Sequence, residues 1–556
     1  MVCIIKYNAK DIISYVLLIL TLCYTLIYSS GGMTDISNHD YMYYMHLCSD
    51  SDYSRHPMIS GTLLIYKPLF SLFGFSFWKW QKFHWMLNLV TIFIPYFVLL
   101  NGSQRRRYLF VAILLVLIAH YRMGCEPPRL VYFFGSITLT CLIKYFKINR
   151  FVWILIMSIC LSLIGYVRFP SLLVYPLVAL AVICFTNRIM HRITILLLPI
   201  VLFLILVSIT SGSVQQFFSD LSNSLNDSIT GDHSMKLLFI SCAQSLVCDA
   251  IYTVILLLPF SLYILWKKLK YRILLVATCF SFILSLCSIF YYPAWGDEIP
   301  HLYLANITFS MVYYHPIPQL FGAFFIVVII LYLYDYKFDS KTFILGLIII
   351  FSAMAASAGS NFGFVHEYMS MAFLPYFASL SPSIDIQQAH KCKYSKPSLR
   401  LWIVCLCIAM IVSTLMNDVR TLHREFCSEG KIAVINGGGK LAENLDNVYF
   451  GEQSFGKLTG MQNEYKELER TYTDVIIWGY WGYYMSLANN KWPVTSVWEM
   501  SSTDVNGPAF KELQNYVIIH HPAVIDTERH LNMETFLTSL GYIKREEKYC
   551  RVYTFK

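Results

Sequence analysis

Apolar residues recur along most of this chain in long blocks, each separated from the next by a short polar or charged segment. The blocks are about 17 to 20 residues long, the length that an α-helix needs to cross the hydrocarbon core of a bilayer. Counting them predicts about 13 membrane-spanning helices. Their predicted bounds are 11–29, 84–100, 108–121, 129–145, 151–167, 171–186, 193–210, 249–266, 273–291, 317–334, 342–357, 364–380 and 400–416. The pattern therefore predicts an α-helical polytopic membrane protein over residues 1–416.

The composition agrees with this prediction. Of the 556 residues, 56% are apolar and 14% are charged. The first block is too long for the apolar core of a signal peptide, and no cleavage pattern of small residues follows it. We therefore expect residues 11–29 to be retained as the first spanning helix.

Basic residues cluster between the apolar blocks, and their distribution predicts the orientation of the protein. Six clusters fall on the same side of the predicted topology: RRR at 105–107, KINR at 147–150, NRIMHR at 187–192, KKLKYR at 267–272, YDYKFDSK at 334–341 and HKCKYSKPSLR at 390–400. By the positive-inside rule this side is cytoplasmic, so the N-terminus lies inside and the C-terminal region lies outside. Short clusters of this kind are typical of cytoplasmic loops, so the formal net charge of +9 does not indicate nucleic-acid binding.

The segments predicted on the outer side are richer in acidic residues. They include a first outer loop over 31–83, the region around Glu126, a polar loop over 211–236 and a loop at Asp297. The second half of the first loop mixes Trp, Phe and Lys over a length too polar to cross a bilayer. Such a mixture predicts helices that lie in the membrane interface while their lysines reach water.

After residue 416 the composition changes to that of a water-soluble domain, which predicts an extracytoplasmic α/β domain over 417–556. Three short apolar runs predict buried strands: KIAVING at 431–437, DVIIWGYW at 474–481 and YVIIHH at 516–521. Stretches of helical length separate them, such as 505–515 and 531–541. The INGGGK segment lacks the spacing of a nucleotide-binding loop and predicts a turn that ends a strand. Cys427 and Cys550 flank this domain, either as a disulfide or as free thiols.

The polar stretch that follows the first block carries the strongest candidates for chemistry. Asp35 and Asp40, with His39 between them, come soon after the end of the predicted first helix. Carboxylates beside a membrane could take a proton from an acceptor hydroxyl or hold a divalent metal against a phosphate. The alternative is a solvated acidic loop with no catalytic role.

A second candidate cluster is Asp297, Glu298 and His301 in "YYPAWGDEIPHLY". These residue types could bind a divalent metal or orient an acceptor, although an ordinary polar loop has the same composition. Arg168 in "GYVRFPSLLVYP" sits at a predicted outer helix end, where a guanidinium suits a lipid phosphate or simply reaches the interface.

The stretch "HDYMYYMHL", followed by "RHPMISGTLLIYKPLFSLFGFSFWKW", resembles the first outer loop of GT-C glycosyltransferases. It is closest to the branch of protein O-mannosyltransferases and bacterial lipid A aminoarabinose transferases. His56-Pro57 and Phe73-Gly74 match the pattern of that branch. The usual Asp-Glu pair is His39-Asp40 here, and Met58 replaces a second proline. The end of the chain also resembles the outer domain of bacterial transferases of this kind, while the middle matches mainly in topology.

The resemblance implies a role for each candidate residue. It implies that Asp35 or Asp40 is the catalytic carboxylate, with Asp35 favoured because the family's aspartate lies directly after the first helix. It also implies substrate-binding roles for His39, His56, Glu126 and Arg168. In the expected reaction, Arg55 or Arg122 could help Arg168 to hold the donor phosphate. We add Asp297, Glu298 and His301 to the candidate substrate-binding residues, because their side chains could bind a divalent metal or orient an acceptor.

The expected function is transfer of a sugar from a polyprenyl-phosphate donor to a glycan, lipid or protein acceptor at the outer face of a bacterial inner membrane. Nucleotide sugars stay in the cytoplasm, so an active site on the outer side requires a lipid-linked donor. No cofactor is expected with certainty, and a divalent metal stays an open alternative. A polysaccharide polymerase or ligase would share this chemistry. A transporter or flippase is a further alternative, although no repeated halves are found in the sequence.

Overall fold

A computed structural model of the protein describes residues 9–30, 60–73, 77–102, 105, 109–118, 127–230, 235–295, 323, 326, 327, 330, 340–356, 376, 379, 402, 404–416, 433–434, 449–450, 452–479 and 508–555. The chain is mostly helical, with a small sheet near its C-terminus. Within these ranges, three helices are long and apolar enough to cross a membrane: Lys82–Leu99, Arg129–Ile148 and Ile189–Thr210. They coincide with the predicted spans 84–100, 129–145 and 193–210, so the prediction of apolar membrane-crossing helices is confirmed at these three positions.

The membrane part contains α1 (Ala9–Ser30), α2 (Ser60–Phe73), α3 (Phe77–Leu99), α4 (Leu109–Ile118), α5 (Pro127–Ile148), α6 (Phe151–Val167), α7 (Val174–Phe185), α8 (Ile189–Thr210), α9 (Val214–Thr230), α10 (Met235–Leu269), α11 (Arg272–Trp295), α12 (Ser340–Ala356) and α13 (Val404–Met416). A short 3-10 helix, Phe169–Leu173, joins α6 to α7. The predicted number of about 13 spans is not confirmed, because several of these helices are shorter than a span. The predicted spans 317–334 and 364–380 lie mostly outside the described residues.

Helix α5 lies at the centre of the described bundle, where it packs along both α3 and α6. Its polar residues Arg129, Ser136, Thr140 and Lys147 recur at intervals that place them on one face of a helix. Polar side chains of α3 also share one face, and these are His84, Asn88 and Thr91. We call the contact between the two helices the α3–α5 seam.

Hydrogen bonds hold the seam together at mid-helix. The hydroxyl of Ser136 donates to the carbonyl oxygen of Thr91, with an oxygen–oxygen distance of 2.7 Å. The hydroxyl of Tyr376 donates to the carbonyl oxygen of Ser136 at 2.7 Å and lies 3.4 Å from the hydroxyl of Thr140. Because water is scarce at this depth, such bonds tie the helices to one another.

Helix α2 is tied to the end of α6 by a close backbone approach. The hydroxyl of Thr62 donates to the carbonyl oxygen of Val167 at 2.8 Å. A β-carbon added to Gly61 would lie 2.4 Å from the carbonyl oxygen of Tyr166, so only glycine fits there. Helix α6 ends at this point because Arg168 adopts an extended backbone and Pro170 follows.

The prediction of a polar loop over 211–236 is wrong, because most of the segment forms helix α9. Ser213 caps its start by accepting a hydrogen bond from the amide of Gln216. Phe217 and Leu221, one helical turn apart, are buried against residues of α6 and α8. Within 211–222, where burial is described, Phe217 and Leu221 are the buried residues, so a mostly polar sequence suffices for this part of the helix.

The C-terminal domain contains β1 (Ala433–Val434), β2 (Tyr449–Phe450), α14 (Glu452–Glu469), β3 (Val475–Trp478), α15 (Pro508–His520), β4 (Ala523–Asp526), α16 (Leu531–Ser539), β5 (Tyr542–Glu546) and β6 (Arg551–Phe555). Four strands form a sheet in the order β3, β4, β6, β5. Strands β3 and β4 are parallel, and β6 is antiparallel to both of its neighbours. The alternation of helices and strands that the sequence predicts is present here.

The predicted strand over 516–521 is wrong, since these residues complete helix α15. Phe510, Leu513 and Val517 are buried at helical spacing, whereas Ile518 and Ile519 are exposed. The helix ends at His520, and the next residue, His521, has a positive φ of 46°. The buried strand β4 begins two residues later.

Candidate functional site

Arg168 is the predicted site residue that lies within the described part of the chain. The other candidates lie outside the described residues: Asp35, His39, Asp40, Arg55, His56, Arg122, Glu126, Asp297, Glu298 and His301. The candidate site is therefore built from Arg168 and from the described residues at the ends of the neighbouring helices.

Arg129 and Arg168 lie at the same end of the bundle. Helices α5 and α6 pack against each other and are joined by the short turn at Asn149 and Arg150, so they run in opposite directions. Arg129 precedes this turn by about 20 residues and Arg168 follows it by about 18, which correspond to helix lengths of about 30 Å and 27 Å. We call this side of the bundle the arginine end.

Both guanidinium groups at the arginine end are withdrawn from solvent. The exposed fraction is 2% for Arg129 and 9% for Arg168. Arg129 lies in the first turn of α5, and Arg168 occupies the break between α6 and the 3-10 helix. The guanidinium of Arg168 donates to the hydroxyl of Ser171 at 3.3 Å. Charged groups buried beside a membrane are costly, so two at one level indicate a function.

His84 lies opposite Arg129 across the α3–α5 seam. The hydrogen bond between Ser136 and Thr91 fixes one level of the seam, and His84 and Arg129 each lie two helical turns before it. Thr62 bonds to Val167 beside Arg168, and Tyr66, one helical turn later, packs against His84, so α3 begins at the arginine end as α5 does and the two helices run in the same direction. His84 is fully buried.

Helix α2 contacts both α3 and the end of α6 at the arginine end. The ring of Tyr66 packs against that of His84, with their centroids 5.3 Å apart. One helical turn earlier, Thr62 bonds to the end of α6 next to Arg168. The end of α1 is also here, because the ammonium of Lys82 donates to the carbonyl oxygen of Leu26 at 3.1 Å.

The described helix ends that flank two of the segments with predicted residues therefore lie at the arginine end. Segment 31–59, which contains both candidate catalytic aspartates, follows α1 and precedes α2. Glu126 directly precedes the first residue of α5. Arg129 and His84 themselves were not among the predicted site residues. Their signal was present in the sequence, since both are ionisable residues at the start of apolar blocks, but they lie outside the family-like motifs.

The arginine end can bind an anion, since guanidinium groups suit the oxygens of phosphate or carboxylate. Within the described ranges, no group of three or more His, Cys, Asp and Glu side chains could hold a metal ion. The predicted metal candidates, Asp297, Glu298 and His301, lie outside those ranges.

A second ionisable cluster lies in the C-terminal domain, at the end of β4. The carboxylate of Asp526 accepts hydrogen bonds from the amide of His530 at 2.6 Å and from its Nδ1 at 2.7 Å. Nε2 of the same ring is 3.0 Å from Glu528. Burial lowers the pKa of His530, but the hydrogen bonds and charges of Asp526 and Glu528 outweigh it and raise this pKa to about 9. Through these contacts, the imidazolium of His530 ties the start of α16 to the end of β4.

Cys550 is a buried free thiol in this domain. Burial raises its pKa to about 12, with a further contribution from Glu464 and Glu547. Of the two alternatives for Cys427 and Cys550, the structure has the free thiol at Cys550, while Cys427 lies outside the described residues.

No protein-family model matches the chain, and no curated protein matches it either.

Proposed function

We propose that the protein is a GT-C-type glycosyltransferase that moves a sugar from a polyprenyl-phosphate donor to an acceptor on the outer side of a bacterial inner membrane. The observation that carries the proposal is the pair of buried guanidinium groups, Arg129 and Arg168, at one end of the helix bundle. Helices α1 and α2, which precede and follow segment 31–59 with Asp35 and Asp40 in the chain, both have an end here.

The proposed reaction is a displacement at the anomeric carbon. Asp35 or Asp40 accepts the proton of the acceptor hydroxyl, whose oxygen forms the new glycosidic bond. The bond between the anomeric carbon and the phosphate oxygen breaks, and the electron pair leaves with the phosphate. Arg129 and Arg168 stabilise the negative charge that develops there. The role of the two aspartates rests on the family resemblance. The role of Arg129 and Arg168 in binding the leaving phosphate rests on their buried charges.

The distribution of basic residues supports an outward-facing arginine end. Arg105, Lys147, Arg150 and Arg188 lie at helix ends on the opposite side of the bundle. By the positive-inside rule, that opposite side faces the cytoplasm. Impermeant maleimide should therefore label Ser213→Cys, which follows α8, in intact spheroplasts but not Lys270→Cys, which follows α10. The reverse labelling would place the arginine end in the cytoplasm, away from a translocated donor.

The proposed function is tested with the full chain in nanodiscs, supplied with radiolabelled undecaprenyl-phosphate sugars and membrane acceptors. Wild-type protein should consume a lipid-linked sugar. Arg129→Gln and Arg168→Gln should each lower turnover by about 100-fold, the usual effect of removing one group that stabilises developing negative charge. Asp35→Asn or Asp40→Asn should abolish turnover.

Arg192→Gln is the matched control. Arg192 lies on the opposite side of the bundle, where its Nε donates to the carbonyl oxygen of Thr186 at 2.7 Å. This variant should keep wild-type turnover. Equal turnover in Arg129→Gln, Arg168→Gln and Arg192→Gln would show that the arginine end is not the site of transfer.

A further inference from the structure

We infer that the side of the bundle opposite the arginine end binds the phosphate of an anionic phospholipid between Arg150 and Arg188. This lipid site is separate from the proposed transfer reaction and does not depend on it. Its basis is a direct contact between the starts of α6 and α8, each of which is preceded by an exposed arginine. We call residues 147–152 and 186–191 the basic turns.

Side-chain contacts hold the two basic turns against each other. The hydroxyl of Tyr145, near the end of α5, donates to Oγ1 of Thr186 at 2.7 Å and lies 2.8 Å from Nδ1 of His191. The ring of His191 also packs against that of Phe151, with centroids 5.2 Å apart and an angle of 30° between the ring planes. The basic turns therefore form one continuous surface.

This contact brings Arg150 and Arg188 to the same level of the bundle. Helices α6 and α8 pack along each other, and both begin on this side. Phe151 directly follows Arg150, and His191 follows Arg188 by three residues, which is less than one helical turn. The contact between the two rings therefore places the two arginines on neighbouring helices, one on each basic turn.

No carboxylate neutralises this surface within the described part of the chain. The sequence has no Asp or Glu between residues 127 and 219. The side chains of Arg150 and Arg188 make no hydrogen bond or ion pair with any other described residue. Both arginines stand directly before a helix, where the helix dipole disfavours a positive charge. A phosphate bound by the two guanidinium groups would offset this unfavourable placement.

The neighbouring residues indicate that the phosphate belongs to a lipid. Two apolar residues follow each arginine, and their exposed fractions lie between 40% and 70%: Phe151, Val152, Ile189 and Met190. Such side chains suit the acyl chains of a lipid whose phosphate lies at the level of the guanidinium groups. The positive-inside rule predicts that this side faces the cytoplasm, where basic pockets between membrane helices bind anionic headgroups.

The turn between α10 and α11 provides an internal comparison. It contains Lys270 and Arg272, which are also exposed and belong to the same predicted cytoplasmic side. These two cations come from one turn, whereas Arg150 and Arg188 come from two turns that side-chain contacts hold together. A preorganised pair loses less conformational freedom when it binds a ligand. General attraction to an anionic membrane should therefore act on both places, and a defined site should exist only at the basic turns.

The test is native mass spectrometry of the full chain in detergent, titrated with phosphatidylglycerol or with zwitterionic phosphatidylcholine. Wild-type protein should bind phosphatidylglycerol about tenfold more tightly than phosphatidylcholine, and replacing both Arg150 and Arg188 by Gln should abolish this preference, since each cation near an anionic lipid contributes about fivefold. An excess of inorganic phosphate should not displace the lipid, because it lacks the apolar part. Displacement by inorganic phosphate would show that the ligand is a free anion and would overturn the lipid site.

A second variant tests the geometry without changing any charge. Tyr145→Phe removes the hydroxyl that joins the basic turns, and it should lower the affinity for phosphatidylglycerol by about fivefold, the usual effect of removing one hydrogen bond. Tyr175→Phe is its control, because the hydroxyl of Tyr175 donates to the carbonyl oxygen of Leu196, away from the basic turns. Equal affinities of Tyr145→Phe and wild type would contradict a site that depends on the contact between the turns.

Lys270→Gln combined with Arg272→Gln is the matched charge control, and it should change the affinity for phosphatidylglycerol by less than about twofold. The inference is overturned if this variant loses as much affinity as the variant lacking Arg150 and Arg188, or if both lipids bind wild-type protein equally. Phosphatidylglycerol should also raise the unfolding temperature of the wild type but not of the variant lacking Arg150 and Arg188. Because these measurements need no sugar donor, their outcome is independent of the proposed function.

Discussion

Thr62, in the first turn of α2, donates a hydrogen bond to the carbonyl oxygen of Val167 at the end of α6. The two residues are 105 positions apart in the chain. The bond occupies a carbonyl that the end of a helix would otherwise leave without an intrahelical partner. It also fixes α2 beside Arg168. Variants that disrupt the contact between α2 and α6 should therefore change both the stability and the activity of the protein.

Gly61→Ala should disrupt the contact between α2 and α6. The added β-carbon would lie 2.4 Å from the backbone oxygen of Tyr166, which cannot move aside as a side chain would. We expect a loss of about 1 to 3 kcal/mol of stability, measured by thermal unfolding in detergent, and a fall in donor turnover. Gly102→Ala is the control, because nothing lies within 4 Å of its added β-carbon. Equal stability of both variants would contradict the close approach.

Tyr376→Phe should weaken the α3–α5 seam. It removes the hydroxyl that donates to the carbonyl oxygen of Ser136, and interhelical bonds of this kind contribute about 0.6 kcal/mol on average in membranes. Steric trapping or unfolding in mixed detergent can measure the change. Ser158→Ala removes a hydroxyl whose hydrogen bond among the described residues is to Ile154 in its own helix, and should have a smaller effect. A larger loss in Ser158→Ala would argue against the seam.

The C-terminal domain should lose stability at alkaline pH because of His530. Its pKa is raised from the ordinary value of 6.5 to about 9 in the folded protein. The stabilisation is therefore complete below pH 6.5 and disappears as pH rises through about 9, and it amounts to at most about 3 kcal/mol. Hydrogen exchange of peptides from 523–530, corrected for the intrinsic rate, should accelerate between pH 7 and 9.5.

His530→Gln should remove most of this pH dependence, whereas His520→Gln, at an exposed position, should keep it. If exchange in the wild-type protein shows the same pH dependence as in His530→Gln, the paired imidazolium does not contribute to stability.

Cys550 should resist alkylation in the folded protein. The thiol is buried and its raised pKa of about 12 leaves almost no thiolate at neutral pH. Maleimide should label it only after denaturation, without any need for a reductant. A requirement for dithiothreitol before labelling in denaturant would reveal a disulfide, with Cys427 as its natural partner in the sequence.

Hydrophobic periodicity predicts many of the membrane helices, because apolar blocks of this length have few alternatives to a helix in lipid. It fails for α9, where the buried face is reduced to residues such as Phe217 and Leu221 and the rest of the segment is polar. It fails again at 516–521, because a β-branched run can continue a helix whose buried face is set by Phe510 and Leu513.

The candidate site shows a similar limit. Family-like motifs indicated Arg168, which lies at a helix end as expected. They did not indicate His84 or Arg129, because the level at which residues of two helices face each other depends on register, and register is not visible in a single sequence. The intervals between polar residues along α3 and α5 contain part of that information. Together, the two patterns predict that α3 and α5 share a polar face. They do not predict which residue of α3 faces which residue of α5.

The Ser136–Thr91 hydrogen bond near the middle of the α3–α5 seam has a mechanical consequence. Sliding one helix along the other by a turn, about 5.4 Å, would break this bond and carry His84 past Arg129. The two helices should therefore move together as one unit rather than slide along each other. Relative motion between helices of this bundle should therefore occur at contacts other than the α3–α5 seam.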